Sequence, residues 1–405
     1  MEAFAGSQGT ELCPDGLPII TAEVLNTVDS LRALRDAGAK HRVNMGGRET
    51  GLVLTTHDAT SRAMTDPRLL GAPPRSRDAR AGDPDDLVDE EDLFFLPQDE
   101  HARLRHLVVR QLTHRRTAAL VPRIQGEVEK LLAATAGATV VDFAADVGRP
   151  LPVAVLCELL GVPDEGRGYL RDYVFGWAGG SDAVPTVTKS AGLLMAEYLR
   201  DLIARRRAAP GDDLISGMIR ERDAGGDRDI LSAVRLLLVA GHQPVTRLLV
   251  NGLRVLLTPR SRWEWLRQDP ARLDPTIEEL LRVVTPTALA SRYADEDIEF
   301  DGEPLPVGQG VHCALKAANR DPARFADPDV FDPQRPSNPH LSFGLGRRHC
   351  PGAALARAEA RVAFGTLLQR CPRLRLAEKH ETDGRPLSGR YLPVILDPGA
   401  SGAGR

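Results

Sequence analysis

Apolar residues recur at three- and four-residue spacing through 101–134, 153–178, 188–208, 212–225, 229–257 and 275–284. That is the period of amphipathic helices, not of strands. A chain carrying it over so much of its length is expected to be mainly α, with a core built by helices packing on helices. Strand signals are confined to the flanks. GLVLTTHD (51–58) reads as a short strand leaving into a turn. YADEDIEFDGEPLPVGQGVHCALKAANRD (293–321) reads as hairpins, from its alternation and its DG and VGQG turns. An irregular Pro/Asp-rich stretch (322–339) leads into a glycine-punctuated loop, then a helix from about Pro351 to Arg370 and short C-terminal strands. Residues 75–100 are rich in charge, Gly and Pro and are expected to form a long loop with at most a brief helix; such loops in compact proteins are usually functional. No stretch has the composition of a linker, so the expectation is a single domain over 1–405, mainly α with a minor β part, with about 1–20 as a flexible N-terminal segment.

With 405 residues, 42% of them hydrophobic and 27% charged, the chain can bury a sizeable core. A net charge of −4 argues against a nucleic-acid-binding polycation. Cys13, Cys157, Cys313, Cys350 and Cys371 are scattered, odd in number and form no CxxC pair. This speaks against a disulfide framework or a zinc ribbon and fits a reducing compartment. The first twenty residues lack the basic and apolar regions of a signal peptide. No uninterrupted apolar run reaches the length of about 18 residues that a membrane span needs. The resulting expectation is a cytoplasmic protein, a monomer, engaging neither membrane nor nucleic acid.

The stretch HLSFGLGRRHCPGAALARAE (340–359) sets one cysteine between a glycine loop and an alanine-rich helix. Gly344 and Gly346 permit tight turns that bring amide hydrogens near a ligand, and Pro351 suits a first helical turn. Cys350 is thereby expected at a helix N-terminus, where the macrodipole and free amides favour thiolate over thiol. A buried cysteine at a loop–helix junction is the plain alternative.

FGLGRRHCPG resembles the haem-binding signature of the cytochromes P450, the haem-thiolate monooxygenases; Phe343, Gly344, Gly346, Arg348, Cys350 and Gly352 fall on motif positions. The resemblance implies that fold, with a long distal helix over the haem and the cysteine loop on its proximal side. It makes Cys350 the thiolate ligand of iron in haem b (iron protoporphyrin IX), pushing electron density that favours O–O cleavage. It pairs His101, Arg105, Arg292 and Arg348 with the haem propionates. His349 is read as a bystander, since adjacent residues cannot straddle one iron. Glu279 and Arg282 lie three apart on a predicted helix and match the family's ExxR pair. Such pairs are usually solvated and worth little, but here Arg335 in FDPQR stands where the family's meander arginine joins them to hold the cysteine loop. HARLRHLVVRQLTHRR (101–116) has five arginines and no acid; with Arg347 it is expected to face an acidic ferredoxin, itself fed by a ferredoxin reductase from NAD(P)H.

LLLVAGHQPVTRLLVNGLRVLL (236–257) matches the distal helix, and Ala240 and Gly241 match its small residues. The family's acid and threonine are replaced by Gln243 and Pro244, and the nearest hydroxyl is Thr246. Gln243 hydrogen-bonds but does not titrate. Pro244 cannot donate to the Ala240 carbonyl and is expected to kink the helix. Proton delivery must then involve water, His242 or the substrate, with the alternative that His242 points away. The resemblance implies oxidation of a small natural product or peptide-like substrate in secondary metabolism. Alternatives are oxidative coupling or cross-linking of aromatic groups without oxygen insertion, and a catalytically silent homologue that binds haem as a sensor or recruits a carrier-bound partner. Expected substrate contacts are Phe94, Phe95, Trp177, Thr287, Leu289, Arg390 and Tyr391, the aromatic ones being equally compatible with packing.

Overall fold

The computed structural model describes residues 17–20, 27–45, 49–71, 73, 98–178, 185–221, 226–377 and 391–397. In chain order the first elements are β1 (Ile19–Ile20), α1 (Val28–Ala37), β2 (Lys40–Met45), β3 (Glu49–Leu54), α2 (His57–Thr65) and β4 (Leu69–Leu70). The helical body follows: α3 (Gln98–Gln111), α4 (His114–Ala134), the short β5 (Val141–Asp142), α5 (Pro150–Leu160), α6 (Asp164–Ala178), α7 (Pro185–Ala208), α8 (Leu214–Arg220), α9 (Asp227–Leu257), α10 (Ser261–Arg267) and α11 (Leu273–Val284). Then come β6 (Leu289–Ala294), β7 (Ile298–Phe300), β8 (Glu303–Leu305), β9 (Gly310–Ala314), α12 (Leu315–Ala318), α13 (Ala353–Arg370), β10 (Arg375–Leu376) and β11 (Pro393–Ile395). The expected mainly α architecture with a minor β part is what forms.

The departures have local causes. The helix expected over 101–134 is two, because Thr113 leaves the helical region and its hydroxyl accepts from the Arg116 amide at 3.2 Å, capping α4. The apolar period runs straight through this break. The helix expected over 153–178 is also two, ended by Gly161 and Pro163. α8 stops at Arg220. The DG hairpin is present: Asp301 and Gly302 both take positive φ between β7 and β8, the geometry of a tight primed turn. Of the loop expected over 75–100, residues 98–100 begin α3 and the others fall outside the described residues.

α9 runs through the helical body, packed by α3, α5, α7, α11 and α13. Its buried residues, among them Leu238, Leu248, Leu249 and Leu253, join the largest core cluster. The six-stranded sheet has the order β1-β2-β3-β9-β6-β4. One face of it meets a cluster with α2 residues and Leu341 of the cysteine loop. The other meets α1, through Leu31 and Leu34. Register across β6 and β9 pairs Arg292 with Val311 and Ala290 with Cys313, which puts Arg292 on the face shared with α2 and the cysteine loop.

A buried ion pair ties these layers together. The Glu279 and Arg282 side chains are 1% and 0% exposed, and Nη2 of the arginine meets Oε1 of the glutamate at 2.7 Å. Arg282 also donates to the carbonyls of Asn319 (3.0 Å), Pro328 (2.6 Å) and Val330 (2.9 Å). Glu279 accepts from the Asp332 amide (2.9 Å) and from Asn338 Nδ2 (3.1 Å), with Arg335 Nε 3.6 Å away. Arg335 itself clasps the carbonyls of Ala326, Asp327 and Val330. Asn319 carries the connection onward: its Oδ1 accepts from the Leu341 amide at 2.7 Å and its Nδ2 donates to Ser342 Oγ at 2.9 Å. Ser342 returns to α11 by donating to the Leu281 carbonyl at 2.6 Å. Residues 319–342, almost without regular structure, are thus bonded to α11 along their length.

A second brace lies beside the first. Glu278 accepts from Arg357 of α13 at 2.6 and 2.8 Å and pairs with His340 at 3.2 Å. The Arg357 guanidinium lies over the Phe343 ring at 4.4 Å. Burial alone would raise the Glu278 pKa, but the hydrogen bonds from Arg357 and His340 outweigh it and hold the carboxyl at about 2.

Two tests follow from these braces. Glu279→Ala leaves the Arg282 charge buried without its carboxylate, so stability is expected to fall by about 3–5 kcal/mol in denaturant unfolding; an unchanged midpoint would contradict the assignment. The Glu278 carboxyl, depressed in the folded state, contributes stability that is present above its ordinary range near 4.5 and lost as pH falls toward about 2. Glu278→Gln should therefore flatten the loss of thermal stability across that acid window and leave its slope near neutrality unaltered.

Candidate active site around Cys350

The cysteine loop is fixed by its own backbone. The Gly344 amide donates to Leu341 O at 2.8 Å, and the Cys350 amide returns to Phe343 O at 2.8 Å. Between them Gly346–Arg348 make one 3-10 turn. Gly346 has φ 70°, and a Cβ there would lie 3.0 Å from the Met64 carbonyl at the end of α2; the loop is pressed against that helix and only glycine fits. Helix α13 starts at Ala353, with Gly352 as its cap and Pro351 in the preceding turn. Cys350 therefore stands outside the first helical turn, not within it. Burial pushes its thiol up from the ordinary value, against the downward pull of the Gly352 amide, Arg105 and Arg357. The expected low thiol pKa is not found in the protein alone, because desolvation outweighs the amide and the cations.

Above the loop, four predicted cations converge. His101 and Arg105 come from α3, Arg292 from β6 and Arg348 from the loop itself. Burial and then the charges of Arg348, Arg105 and Arg292 depress His101 to about 4. Burial, then Arg292 and Arg105, lower Arg348 to about 10. Burial likewise lowers Arg105, which feels the Cys350 sulfur in the opposite sense. Among the described residues no carboxylate pairs with Arg105 or Arg292. Enclosed like charges of this kind are costly unless an anion joins them. Room for the Arg348 guanidinium is made by Gly71, where a Cβ would lie 1.8 Å from its Cζ. The sequence reading missed Gly71, Asn319 and the Glu278–Arg357–His340 brace.

Helix α9, which matches the family's distal helix, carries an open side. Leu236, Leu237, Ala240, Gln243, Pro244 and Arg247 are each partly or largely exposed, while Ala233 and Asn251 at either end of the same arc are buried. At 100° per residue these positions share one side of α9, so the helix has an open stripe roughly 16 Å long, closed at both ends. α9 continues through Pro244 without interruption from Asp227 to Leu257. Pro244 still leaves the Ala240 carbonyl without its helical donor. Gly241 lies at the edge of the stripe against Leu156. His242 is buried, its Nδ1 at 2.7 Å from the Leu238 carbonyl, and burial lowers its pKa. Thr246 is also buried and stands about 200° around the helix from Pro244; it does not replace the missing alcohol on the open side.

The remaining predictions divide. The Arg335, Glu279 and Arg282 network forms as expected. Phe94, Phe95 and Arg390 lie outside the described residues, and Trp177 lies in α6 with its side chain outside them. Thr287 is partly exposed in the turn after α11. Leu289 packs in the α1-side cluster, and the two-residue alternation of β6 puts it on the face opposite Arg292. Tyr391 is exposed before β11, its carbonyl accepting from Arg254 of α9 at 2.8 Å. In the basic stretch, Arg103, Arg110 and Arg116 pair with Asp229, Glu221 and Asp212 of neighbouring elements, so part of that charge staples helices together.

A half-buried cysteine beside a nest of cations, with an unpacked stripe on α9, fits a flat prosthetic group carrying two carboxylates and a thiolate-bound iron. A family model described as Cytochrome P450 matches residues 213–387. The cytochrome P450 monooxygenase PikC of Streptomyces venezuelae is 36% identical over 85% of this chain and 83% of its own length. The 6-deoxyerythronolide B hydroxylase of Saccharopolyspora erythraea is 34% identical over 85% of this chain and 88% of its own. The solved structure of the ligand-free P450 monooxygenase TamI superposes with a TM-score of 0.82 at 32% identity, over 98% of each chain. No helix among the described residues is long and apolar enough to cross a membrane. Site and similarity together make this chain a member of the cytochrome P450 family, a haem-dependent oxidoreductase.

Proposed function

We propose that this chain, as one domain, oxidises a small natural product with O2, at haem b held through the Cys350 sulfur. The observation that supports the reading most directly is the enclosed cationic group His101, Arg105, Arg292 and Arg348 beside Cys350. Two propionates would neutralise it, through charge-assisted hydrogen bonds. When bound, the haem supplies redox-active iron that activates O2. The chain's part is to hold and to tune. The Gly352 amide hydrogen-bonds the sulfur and the buried braces fix the loop that carries it. The hydroxylase and monooxygenase names of the relatives favour insertion of oxygen into a natural product.

The open stripe of α9 offers no titrating group in place of the family's acid. Gln243 is held by Arg247, which donates to its Oε1 at 3.3 Å. That leaves the Ala240 carbonyl as an acceptor for water or a substrate donor. Protons would reach the site through ordered water or the substrate. This dependence on substrate also suits oxidative coupling, the second reading. Electrons would arrive from a ferredoxin and its NAD(P)H-dependent reductase, with Arg347 and the unpaired part of the α3–α4 basic stretch as the docking charge.

Reconstituted protein is expected to give the thiolate-type reduced carbon monoxide difference band, and Cys350→Ala to lose it. A band unaffected by that substitution would reject the ligand assignment. His101→Leu and Arg348→Leu should each speed haem transfer to apomyoglobin by about 10–100-fold, the worth of one charge-assisted hydrogen bond. With 18O2, label in the product supports oxygen insertion; a new bond without label supports coupling.

A further inference from the structure

Arg357, on the second turn of α13, is held from three directions. Its Nε and Nη2 meet Glu278 of α11 at 2.6 and 2.8 Å. Its Nη1 turns back to the Ala353 carbonyl at the start of its own helix, 3.5 Å away. Its flat face lies over the Phe343 ring, with Cζ 4.4 Å from the centroid. Helical side chains lean toward the N-terminus. Here that lean carries the guanidinium to the end of α13 that begins three residues after Cys350.

Phe343 belongs to the cysteine loop, and its carbonyl accepts from the Cys350 amide at 2.8 Å. Its ring also meets those of His340 and His349, at 6.0 and 6.3 Å. Cation, ring and cysteine thus form one packed group. The Arg357 side chain is 32% exposed, so water screens its charge only in part. That charge acts on Cys350 in the sense that favours a thiolate, as the Arg105 charge does. It also acts on His349, against a second cation there.

We propose that Arg357 is a positioning residue that sets how readily the site takes up an electron, by holding a fixed positive charge against the Phe343 ring beside the cysteine sulfur. The inference rests on the haem-thiolate reading and adds to it a residue outside the signature loop. Reduction by one electron, given up by the ferredoxin, leaves the site one charge more negative. A fixed cation nearby favours that reduced state. The brace to Glu278 thereby has an electrical role as well as a mechanical one: it keeps a flexible side chain, and the charge it carries, in one place.

The reduction potential of haem-loaded protein, read by spectroelectrochemistry, tests this with Arg357→Met and Arg357→Lys. Both lose the planar fork that grips Glu278 and keep an unbranched stem to lie on Phe343. Only Arg357→Met loses the charge. Arg357→Met is expected to make reduction about tenfold less favourable, a fall of about 59 mV for one electron. Arg357→Lys should stay within about threefold of the unmodified protein. A brace that is merely structural would shift the two alike, so equal potentials in both variants, wherever they lie, overturn the proposal. If Arg357→Met fails to retain haem because Glu278 has lost its partner, the same pair is compared in a Glu278→Gln background, where no carboxylate is left behind. The same gap is expected there, and its absence rejects the role. Failure of the underlying reading would show differently, as an unmodified protein without the thiolate carbon monoxide band.

Discussion

The Glu279–Arg282 pair is the joint from which the rest of the site hangs. Neither charge touches water, and both are saturated with partners that belong to a segment almost without helix or strand. Such a segment has no ladder of its own to satisfy its backbone groups. Arg282 and Arg335 take its carbonyls, Glu279 takes its amides, and Asn319 passes the order on to Leu341 and Ser342. A buried pair is weak evidence for net stability. Its value here is positional, since it decides where the loop bearing Cys350 begins.

Charge in this molecule is sorted by burial. Exposed arginines of α3 and α4 find acids on adjacent elements. The set beside Cys350 is gathered differently: burial and the mutual charges of His101, Arg105, Arg292 and Arg348 act on one another there. It matches the carboxylates of the family's cofactor.

Legibility in the sequence followed the range of the interaction. The cysteine loop could be read because its glycines, arginine and sulfur are consecutive, and the ExxR pair because helical spacing makes its members neighbours. Partners far apart in the chain could not be seen: Glu278 with Arg357, Asn319 with Ser342, Gly71 with Arg348. Thr113 was hidden because the apolar period continues across it. Where Leu289 and Thr246 point was hidden for a geometric reason. One residue of parity decides the face of a strand, and two residues of helix turn a side chain nearly to the opposite side.

Gly71 lies far along the chain from the signature loop, and its contribution is an empty volume. The Arg348 guanidinium occupies the space where any larger residue would place its first carbon. Natural variants that fill this hollow would retain every signature residue and still be poor at keeping their pigment. A silent member of such a lineage would then be betrayed by bulk at a remote glycine and not by any change in its hallmark residues.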